Sequence, residues 1–245
     1  MSGHSKWSQI KHQKGTADAR RSNLFSKLAN AIAIAARSGA DPASNFQLRL
    51  TIEKAKAANM PKANIERAIA RGSGKEGGPG LEEILYEAYG PGGTAILIEA
   101  VTDNRNRTTS EVKSVLSRLG TKLAEAGGVK YLFEKKGEVK IHANSRELGR
   151  ESTREKEEAE LAIIESGAED YQAVEKGYLI YAVPTELNQV KNNLENAGFT
   201  VEEIGFSWEP KQPVSVDETT REKIVKLLLG LEELEDVTAV HSNFS

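Results

Sequence analysis

The first 27 residues carry side chains of the types that bind a polyanion. Lysine and arginine neutralise phosphate groups, and an exposed aromatic ring offers a face on which a base stacks. Both types occur in the segment SKWSQIKHQK and in ADARRSNLFSK, which follows it closely. The residues predicted to contact nucleic acid in this stretch are Lys6, Trp7, Lys11, His12, Lys14, Arg20, Arg21 and Lys27.

The charge of the chain is strongly polarised. Residues 1–37 contain seven lysines and arginines and one acid, a net charge of +6. The other residues contain 26 basic and 35 acidic side chains, a net charge of −9. Such a distribution presents one end to phosphate backbones and limits indiscriminate binding elsewhere. It does not distinguish DNA from RNA.

Two simpler interpretations of the basic arm remain open. The composition of the arm also fits a solvated, disordered tail, and Trp7 also fits an apolar anchor that packs back on the protein. His4 and His12 lie in the arm without a cysteine or a carboxylate cluster beside them, so no metal site is expected. Their imidazoles are more consistent with added positive charge or with bonds to phosphate.

A second candidate site is the motif DNRNRTT, residues 103–109. It follows an apolar strand and begins a helix, where arginines and free backbone amides bind phosphate or RNA. The candidate binding residues are Asp103, Asn104, Arg105 and Arg107, and Thr108 or Thr109 would cap the helix. The alternative is a polar turn in which Asp103 pairs with Arg105 or Arg107.

No catalytic motif is recognisable. The glycine runs GSGKEGG and GPGG match neither a P-loop nor a dinucleotide-binding turn, and no local signature of a nucleophilic serine is present. The sequence therefore predicts no cofactor and no catalytic residue. An unrecognised active site in a cleft between α/β domains is a more remote possibility.

Composition indicates an ordinary globular protein of 245 residues. The chain has no cysteine, and no apolar run approaches the length of a membrane span. We expect a cytoplasmic location and no membrane partner.

Three helices are predicted near the amino terminus. The first begins at Thr16 or Asp18, the second covers about Ser44–Asn59, and the third begins after Pro61 and is closed by Gly72. Residues 72–80 contain five glycines and a proline, which predicts a linker.

Strands and helices alternate after the linker. The predicted elements of a middle domain are strands 84–89 and 94–101, a helix 108–119, a strand 129–133, a helix 218–229 and a strand 237–241. Between them lie a strand 138–142, a helix 152–166, strands 171–174 and 178–182, a helix from Pro184 and a strand 200–206. This second set has the β-α-β-β-α-β order of a ferredoxin-like domain.

The predicted fold class is α+β and multidomain. A basic arm and a three-helix domain (1–76) precede two α/β domains with antiparallel sheets. One of them is discontinuous (81–135 and 211–245), and the ferredoxin-like one (136–210) is inserted into it.

Several motifs together resemble the YebC family, which includes the mitochondrial translational activator of cytochrome c oxidase. They are GHSKWSQIKHQK, ADARRSNLFSK, NMPKANIERAIARG, YEAYGPGGTAILIEAVTDNRNRT and GGVKYLFEKKG, and the resemblance covers essentially the whole chain. The family usually has Gly-Gly-x-Leu after the middle-domain helix, and Gly120–Leu123 departs from that pattern.

The resemblance implies three domains and no enzymatic activity. Some members of the family are described as cytoplasmic transcriptional regulators that bind DNA, and others resemble ribosome-associated factors that relieve stalling, notably at proline-rich stretches. The candidate residues of the basic arm and of the 103–107 motif match the corresponding family motifs.

Two hypotheses follow for the function. The favoured one is a translation factor that docks on structured RNA, most naturally the ribosome, by recognising shape. The alternative is a transcriptional regulator that inserts the second or third helix into the major groove of DNA. The third helix offers Lys62, Asn64, Arg67 and Arg71 for that purpose.

Overall fold

The structure is a computed structural model that describes residues 18–75, 80–142, 153–174 and 177–245. The side chains of residues 18–22 and 153–155 lie outside this description. Within it the chain forms two compact units, one from Glu134–Glu209 and the other from the residues on either side of that segment. The division into three domains stays a prediction.

Three helices form the amino-terminal part, as predicted. They are α1 (Asp18–Ala36), α2 (Phe46–Ala57) and α3 (Lys62–Gly72). Asn45 caps α2 because its side-chain oxygen accepts a hydrogen bond from the amide of Leu48 at 3.0 Å. Its side-chain amide also donates to the carbonyl of Ala35 at 2.8 Å, which fixes the start of α2 against the end of α1. The core between the helices contains Ile32, Leu48, Ile52, Ala55 and Ile65.

Gly72 allows α1 and α3 to approach closely. A Cβ atom at this position would lie 2.7 Å from the carbonyl carbon and 2.8 Å from the Cα of Ala33. Both atoms belong to the backbone of α1, so neither can rotate away. The sequence predicted Gly72 as the end of a helix, which is confirmed, but the residue is required there for packing between helices.

The first sheet has the strand order β3-β1-β2-β8. Its strands are β1 (Glu82–Tyr89), β2 (Ala95–Thr102), β3 (Lys122–Leu123) and, from the carboxy terminus, β8 (Val237–Ser242). Helices α4 (Arg105–Ser117) and α7 (Glu218–Glu232) cover one face. Their Leu116 and Leu227 pack with Ile96 and Ile98 of β2 in a continuous apolar core. All three pairings in this sheet are antiparallel.

The strand predicted at residues 129–133 in the middle domain is wrong. Residues Lys130–Leu132 form a 3₁₀ turn, and the strand that pairs with β1 is the two-residue β3. The cause is Glu87, whose buried carboxylate accepts hydrogen bonds from the amides of Gly127 at 2.7 Å, Val129 at 2.6 Å and Lys130 at 2.7 Å. Backbone donors that point at one carboxylate cannot form a strand ladder.

The second sheet has the order β5-β6-β4-β7 and confirms the ferredoxin-like prediction. Its elements in chain order are β4 (Phe133–His142), α5 (Thr153–Glu165), β5 (Asp170–Val174), β6 (Gly177–Ala182), α6 (Leu187–Asn196) and β7 (Thr200–Pro210). Strand β6 pairs antiparallel with both β4 and β5. Gly137 of β4 lies directly under Leu187, so α6 rests on the middle of the sheet.

In the part of the chain that the structure describes, no helix combines the length and the apolar character needed to cross a membrane.

Replacing Gly72 by alanine should destabilise the protein. The added methyl group must push α1 and α3 apart, at a cost of about 1–3 kcal/mol beyond the roughly 1 kcal/mol that alanine contributes as a better helix former. Urea denaturation measures the change. Gly80→Ala is the matched control, because no atom lies within 4 Å of a Cβ built there. Equal stability of the two variants would contradict the close-packing role of Gly72.

Candidate nucleic-acid interface

The motif at residues 103–107 lies at the junction of β2 and α4, as predicted. Asn104 is the residue that caps α4, because its side-chain oxygen accepts a hydrogen bond from the amide of Arg107 at 3.2 Å. The amide of Asn104 in turn donates to the hydroxyl of Thr102 at 2.9 Å. The helix therefore starts at Arg105, and the prediction that Thr108 or Thr109 caps it is wrong.

Asp236 is the centre of a polar cluster beneath this junction. Asp236 is 4% exposed and immediately precedes β8. The carboxylate accepts hydrogen bonds from the hydroxyls of Thr108 at 2.6 Å and Thr102 at 3.0 Å. The guanidinium of Arg107 donates to the same carboxylate at 2.8 Å. Three donors on β2 and α4 thus converge on one buried charge.

These bonds decide the ionisation of Asp236. Burial by itself raises the pKa of a carboxyl group, since the charged form loses its solvation. The hydrogen bonds from Thr108, Arg107 and Thr102, and the positive charge of Arg107, outweigh it and leave the pKa of Asp236 below its ordinary value. The same contact raises the pKa of Arg107 above its ordinary value. The pair is therefore fully charged at neutral pH.

Arg107 and Asp103 form an ion pair, which is the alternative that the sequence left open. The guanidinium of Arg107 lies 3.2 Å from the carboxylate of Asp103. The guanidinium of Arg71, on α3, lies 3.9 Å from Asp103 and donates to the side-chain oxygen of Asn30 at 3.3 Å. Arg105 is more exposed and reaches Glu82 at 3.5 Å. Nucleic-acid contact by the four residues of this motif stays a prediction.

Lys27 lies at the carboxy-terminal end of α7. Its ammonium group donates a hydrogen bond to the carbonyl of Glu232, and the amide side chain of Asn23 donates to the carbonyl of Glu233 at 2.7 Å. A cation is favourable at this end of a helix, where carbonyl groups lack partners. Burial lowers the pKa of Lys27, and the nearby charge of Glu232 partly opposes it. This lysine therefore has an internal role, and its contact with nucleic acid stays a prediction.

A polar cleft of about 430 Å³ opens beside Arg107. It is lined by Ser26, Ala29, Asn30, Arg71, Leu81, Asp103, Arg107, Glu111, Glu235 and Asp236. Four of these residues are acids and two are arginines, so the cleft has a net negative charge. On its own it is a poor site for phosphate.

A second cleft, of about 360 Å³, lies between α1 and α3 and has the opposite character. It is lined by Phe25, Ser26, Ala29, Met60, Asn64, Arg67, Ala68 and Arg71. No acid is among them. Asn64, Arg67 and Arg71 are spaced so that they follow one face of α3, and the rest of the lining is apolar except for Ser26. This combination suits a base with its phosphate.

The remaining predicted contacts cannot be placed. Lys6, Trp7, Lys11, His12 and Lys14 lie outside the described residues. Arg20 and Arg21 belong to the first turn of α1, but their side chains are outside the description. Among the residues that are described, no three His, Asp or Glu side chains are grouped closely enough to hold a metal ion.

The sequence alone did not reveal Asp236, Asn30 or Asn23. Asp236 lies about 130 positions from its partners Thr102 and Thr108, so no local motif joins them. The one available signal for Asp236 was that an acid immediately precedes a short apolar strand. Acids are common at strand ends, so this signal does not single it out. Asn23 and Asn30 are ordinary polar residues of an amphipathic helix.

Comparison with known proteins places the chain in a family. Residues 5–75 match the model of the TACO1/YebC protein N-terminal domain, and residues 81–244 match that of the TACO1/YebC second and third domain. The chain belongs to the TACO1/YebC family, as the motifs indicated.

Relatives extend over the full length. A probable transcriptional regulatory protein of Aquifex aeolicus is 49% identical over 100% of this chain and 96% of its own length. One from Prochlorococcus marinus is 46% identical over 99% of each. The crystal structure of a conserved hypothetical protein from Aquifex aeolicus has a TM-score of 0.87 and 47% identity, covering 98% of this chain and 97% of that one. The relatives' names support a regulatory protein.

Removing the charge of Asp236 by Asp236→Asn should lower the free energy of unfolding by about 2–3 kcal/mol at neutral pH, because a charge-assisted cluster is lost. Since the pKa of Asp236 is lower in the folded than in the unfolded state, its contribution is complete above about pH 5 and is lost as the pH falls through the folded-state pKa. Urea denaturation of wild type and variant between about pH 7 and pH 3 measures this.

Asp103→Asn is the control for that experiment. Asp103 pairs with the same guanidinium but is exposed, so its loss should cost less than about 1 kcal/mol. A difference between wild type and Asp236→Asn that persists undiminished at the acid end would show that the ionised carboxylate is not the stabilising species.

Proposed function

We propose that this protein regulates gene expression in the cytoplasm by binding nucleic acid without catalysis, and that it acts as a ribosome-associated translation factor that relieves stalling. The observation that carries the proposal is the polarised charge, +6 in residues 1–37 against −9 in the other residues. A basic end of this kind associates with a polyanion, and the acidic remainder is repelled from it. Binding is thus directed to the amino-terminal part of the chain.

The basic cleft between α1 and α3 supports the same assignment. Its arginines, Arg67 and Arg71, both lie on α3. Arg67 is exposed, and Arg71 also contacts Asn30 and Asp103. The cleft has the size of a small ligand site and combines apolar lining with guanidinium groups. An unpaired nucleotide fits these features, whereas a base within a duplex would have to leave the stack first.

The contacts on the exposed face of α3 favour binding to RNA over sequence-specific binding to duplex DNA. Lys62 and Glu66 form an ion pair there at 3.5 Å, so a helix inserted in the major groove would bring a carboxylate toward phosphates. Arg71 is directed toward Asn30 and Asp103. Of the four polar residues proposed for base reading, Arg71 is therefore engaged within the protein, and Lys62 is paired with Glu66 at the surface.

A transcriptional regulator that binds duplex DNA is the second candidate. The names of the relatives in Aquifex aeolicus and Prochlorococcus marinus favour it. Footprinting on duplex DNA with clear discrimination between sites would support this function, and weak binding that is uniform over all sequences would count against it.

Sedimentation of lysate through a sucrose gradient at about 0.15 M salt tests the favoured function, since incidental attraction to exposed charge is partly screened there. The intact protein should travel with the ribosomes. A variant with Lys6, Lys11 and Lys14 changed to glutamate should stay at the top. If both proteins stay at the top, the ribosome assignment fails.

A matched control separates the position of the charge from its amount. Changing the exposed Lys113, Lys156 and Lys223 to glutamate alters the net charge by the same amount and leaves the arm intact. This variant should still sediment with ribosomes. Its loss from the ribosomal fractions would show that total charge, rather than the arm, governs the association.

The salt dependence of binding to a polyanion gives an independent prediction. If Lys6, Lys11 and Lys14 each contact one phosphate, reversing them should reduce the log–log slope of affinity against salt by roughly two to three. Fluorescence anisotropy with a labelled RNA at several salt concentrations measures the slope. An unchanged slope would mean that the arm does not contact the polymer.

A further inference from the structure

Two exposed tyrosines and two lysines form a surface near the β3 edge of the first sheet. They are Tyr89, Lys122, Lys130 and Tyr131, which we call the tyrosine–lysine surface. Tyr131 is 64% exposed and Tyr89 is 48% exposed. Tyr131 is the most exposed large apolar or aromatic side chain in the described part of the protein. Burial in the core therefore does not explain the position of either ring.

The backbone of the turn that carries Lys130 and Tyr131 is fixed by hydrogen bonds to Glu87 of β1. The carboxylate of Glu87, itself only 6% exposed, accepts hydrogen bonds from the amides of Gly127, Val129 and Lys130. The amide of Ala124 donates to the backbone carbonyl of Glu87 at 2.7 Å. The buried carboxylate of Glu87 on β1 therefore fixes the path of the turn at 127–130. Tyr131 is thus presented on a backbone that is already ordered.

Tyr89 is fixed by the same turn. Its hydroxyl donates a hydrogen bond to the carbonyl of Gly128 at 2.8 Å. Lys122 of β3 is its antiparallel partner, so the two side chains project from the same side of the sheet. The ring of Tyr89 consequently stays half-exposed beside a lysine in a defined position.

Residues 120–131 have a net charge of +1, although the whole chain has a net charge of −3. Between residues 120 and 131 the charged side chains are Lys122, Glu125 and Lys130, all exposed. An ordered aromatic ring flanked by cations matches the chemistry of single-stranded nucleic acid, in which bases stack on the ring and phosphates meet the cations. A site for an apolar protein partner would need further exposed apolar side chains in this segment, and the exposed Leu24, Leu161 and Ile164 lie on α1 and α5 instead.

We propose that the tyrosine–lysine surface is a second contact with unpaired RNA, in which Tyr131 stacks on a base while Lys122 and Lys130 contact phosphates. This inference rests on the proposed function, because it assumes that RNA is the polymer. It adds a site remote in sequence from the basic arm and from the cleft between α1 and α3. A strand held at two places is oriented on the protein, whereas one held by a basic arm alone is not.

Fluorescence anisotropy of the full chain with a labelled single-stranded RNA of about 12 nucleotides tests the proposal, since binding sites of this kind cover several nucleotides. Tyr131→Ala should weaken binding about tenfold through the loss of one stacking contact. Tyr131→Phe keeps the ring and should bind within about twofold of the intact protein. Thermal unfolding should be the same for both variants, because the side chain is exposed.

The lysines are tested by the salt slope. Changing Lys122 and Lys130 together to alanine should lower the slope by about one to one and a half, the value for two phosphates of a single strand. Lys113→Ala with Lys156→Ala removes the same charge elsewhere and should leave the slope unchanged.

Failure of this inference can be told apart from failure of the proposed function. If the intact chain binds RNA and the arm reversal weakens it, but Tyr131→Ala has no effect, the tyrosine–lysine surface is not a contact. Equal weakening by Tyr131→Ala and Tyr131→Phe would assign the effect to the hydroxyl and overturn stacking. If the intact chain binds no RNA, the proposed function itself is wrong.

Discussion

The buried carboxylate of Asp236 is the interaction on which the junction of the helical part and the first sheet depends. It collects hydrogen bonds from the end of β2, through Thr102, and from α4, through Thr108. Its own position precedes β8, so it joins the carboxy-terminal strand to elements more than a hundred residues earlier. Arg107 extends the cluster to Asp103, and Arg71 continues it to Asn30 on α1. Polar contacts therefore run without a break from β8 to the first helix.

Glu87 repeats this strategy on the other face of the sheet. In both places a carboxylate is buried at some cost and is stabilised by donors from a neighbouring segment. Bonds from three backbone amides and the charge of Lys130 keep the pKa of Glu87 below its ordinary value, even though burial acts in the opposite direction. An apolar side chain could fill the same space but could not define the path of the turn at 127–130. The buried charges thus define the local geometry as well as stabilising it.

The elements with a strong hydrophobic period could be predicted from sequence, and those shaped by single polar contacts could not. Alternating apolar residues located β1, β2 and β6 to within a few positions, and the order of strands and helices identified the ferredoxin-like sheet. The prediction of a strand at 129–133 was wrong although the apolar residues there match a strand pattern. The amides of Val129 and Lys130 donate to the carboxylate of Glu87 and are therefore not available to a neighbouring strand. The start of α4 was placed three residues late because Asn104, not a threonine, provides the cap. The cap depends on one neighbouring side chain, Asn104, and the turn at 127–130 depends on Glu87, which is distant in sequence. Hydrophobic periodicity detects neither contact.

The same reasoning explains why the basic residues divide into two groups. From the sequence alone, Lys27, Arg71 and Arg107 cannot be distinguished from the other cations, because composition gives the charge of a side chain but not its partners. In the structure these three hold α1, α3 and α4 to the rest of the unit, through a helix end, Asp103 and Asp236 respectively. Arg67 and the lysines of the tyrosine–lysine surface occupy exposed positions instead. A surface that binds a long polymer must keep its shape while its cations exchange solvent ions for phosphates. Cations that join the helices to the rest of the unit and further exposed cations are thus both present in one unit.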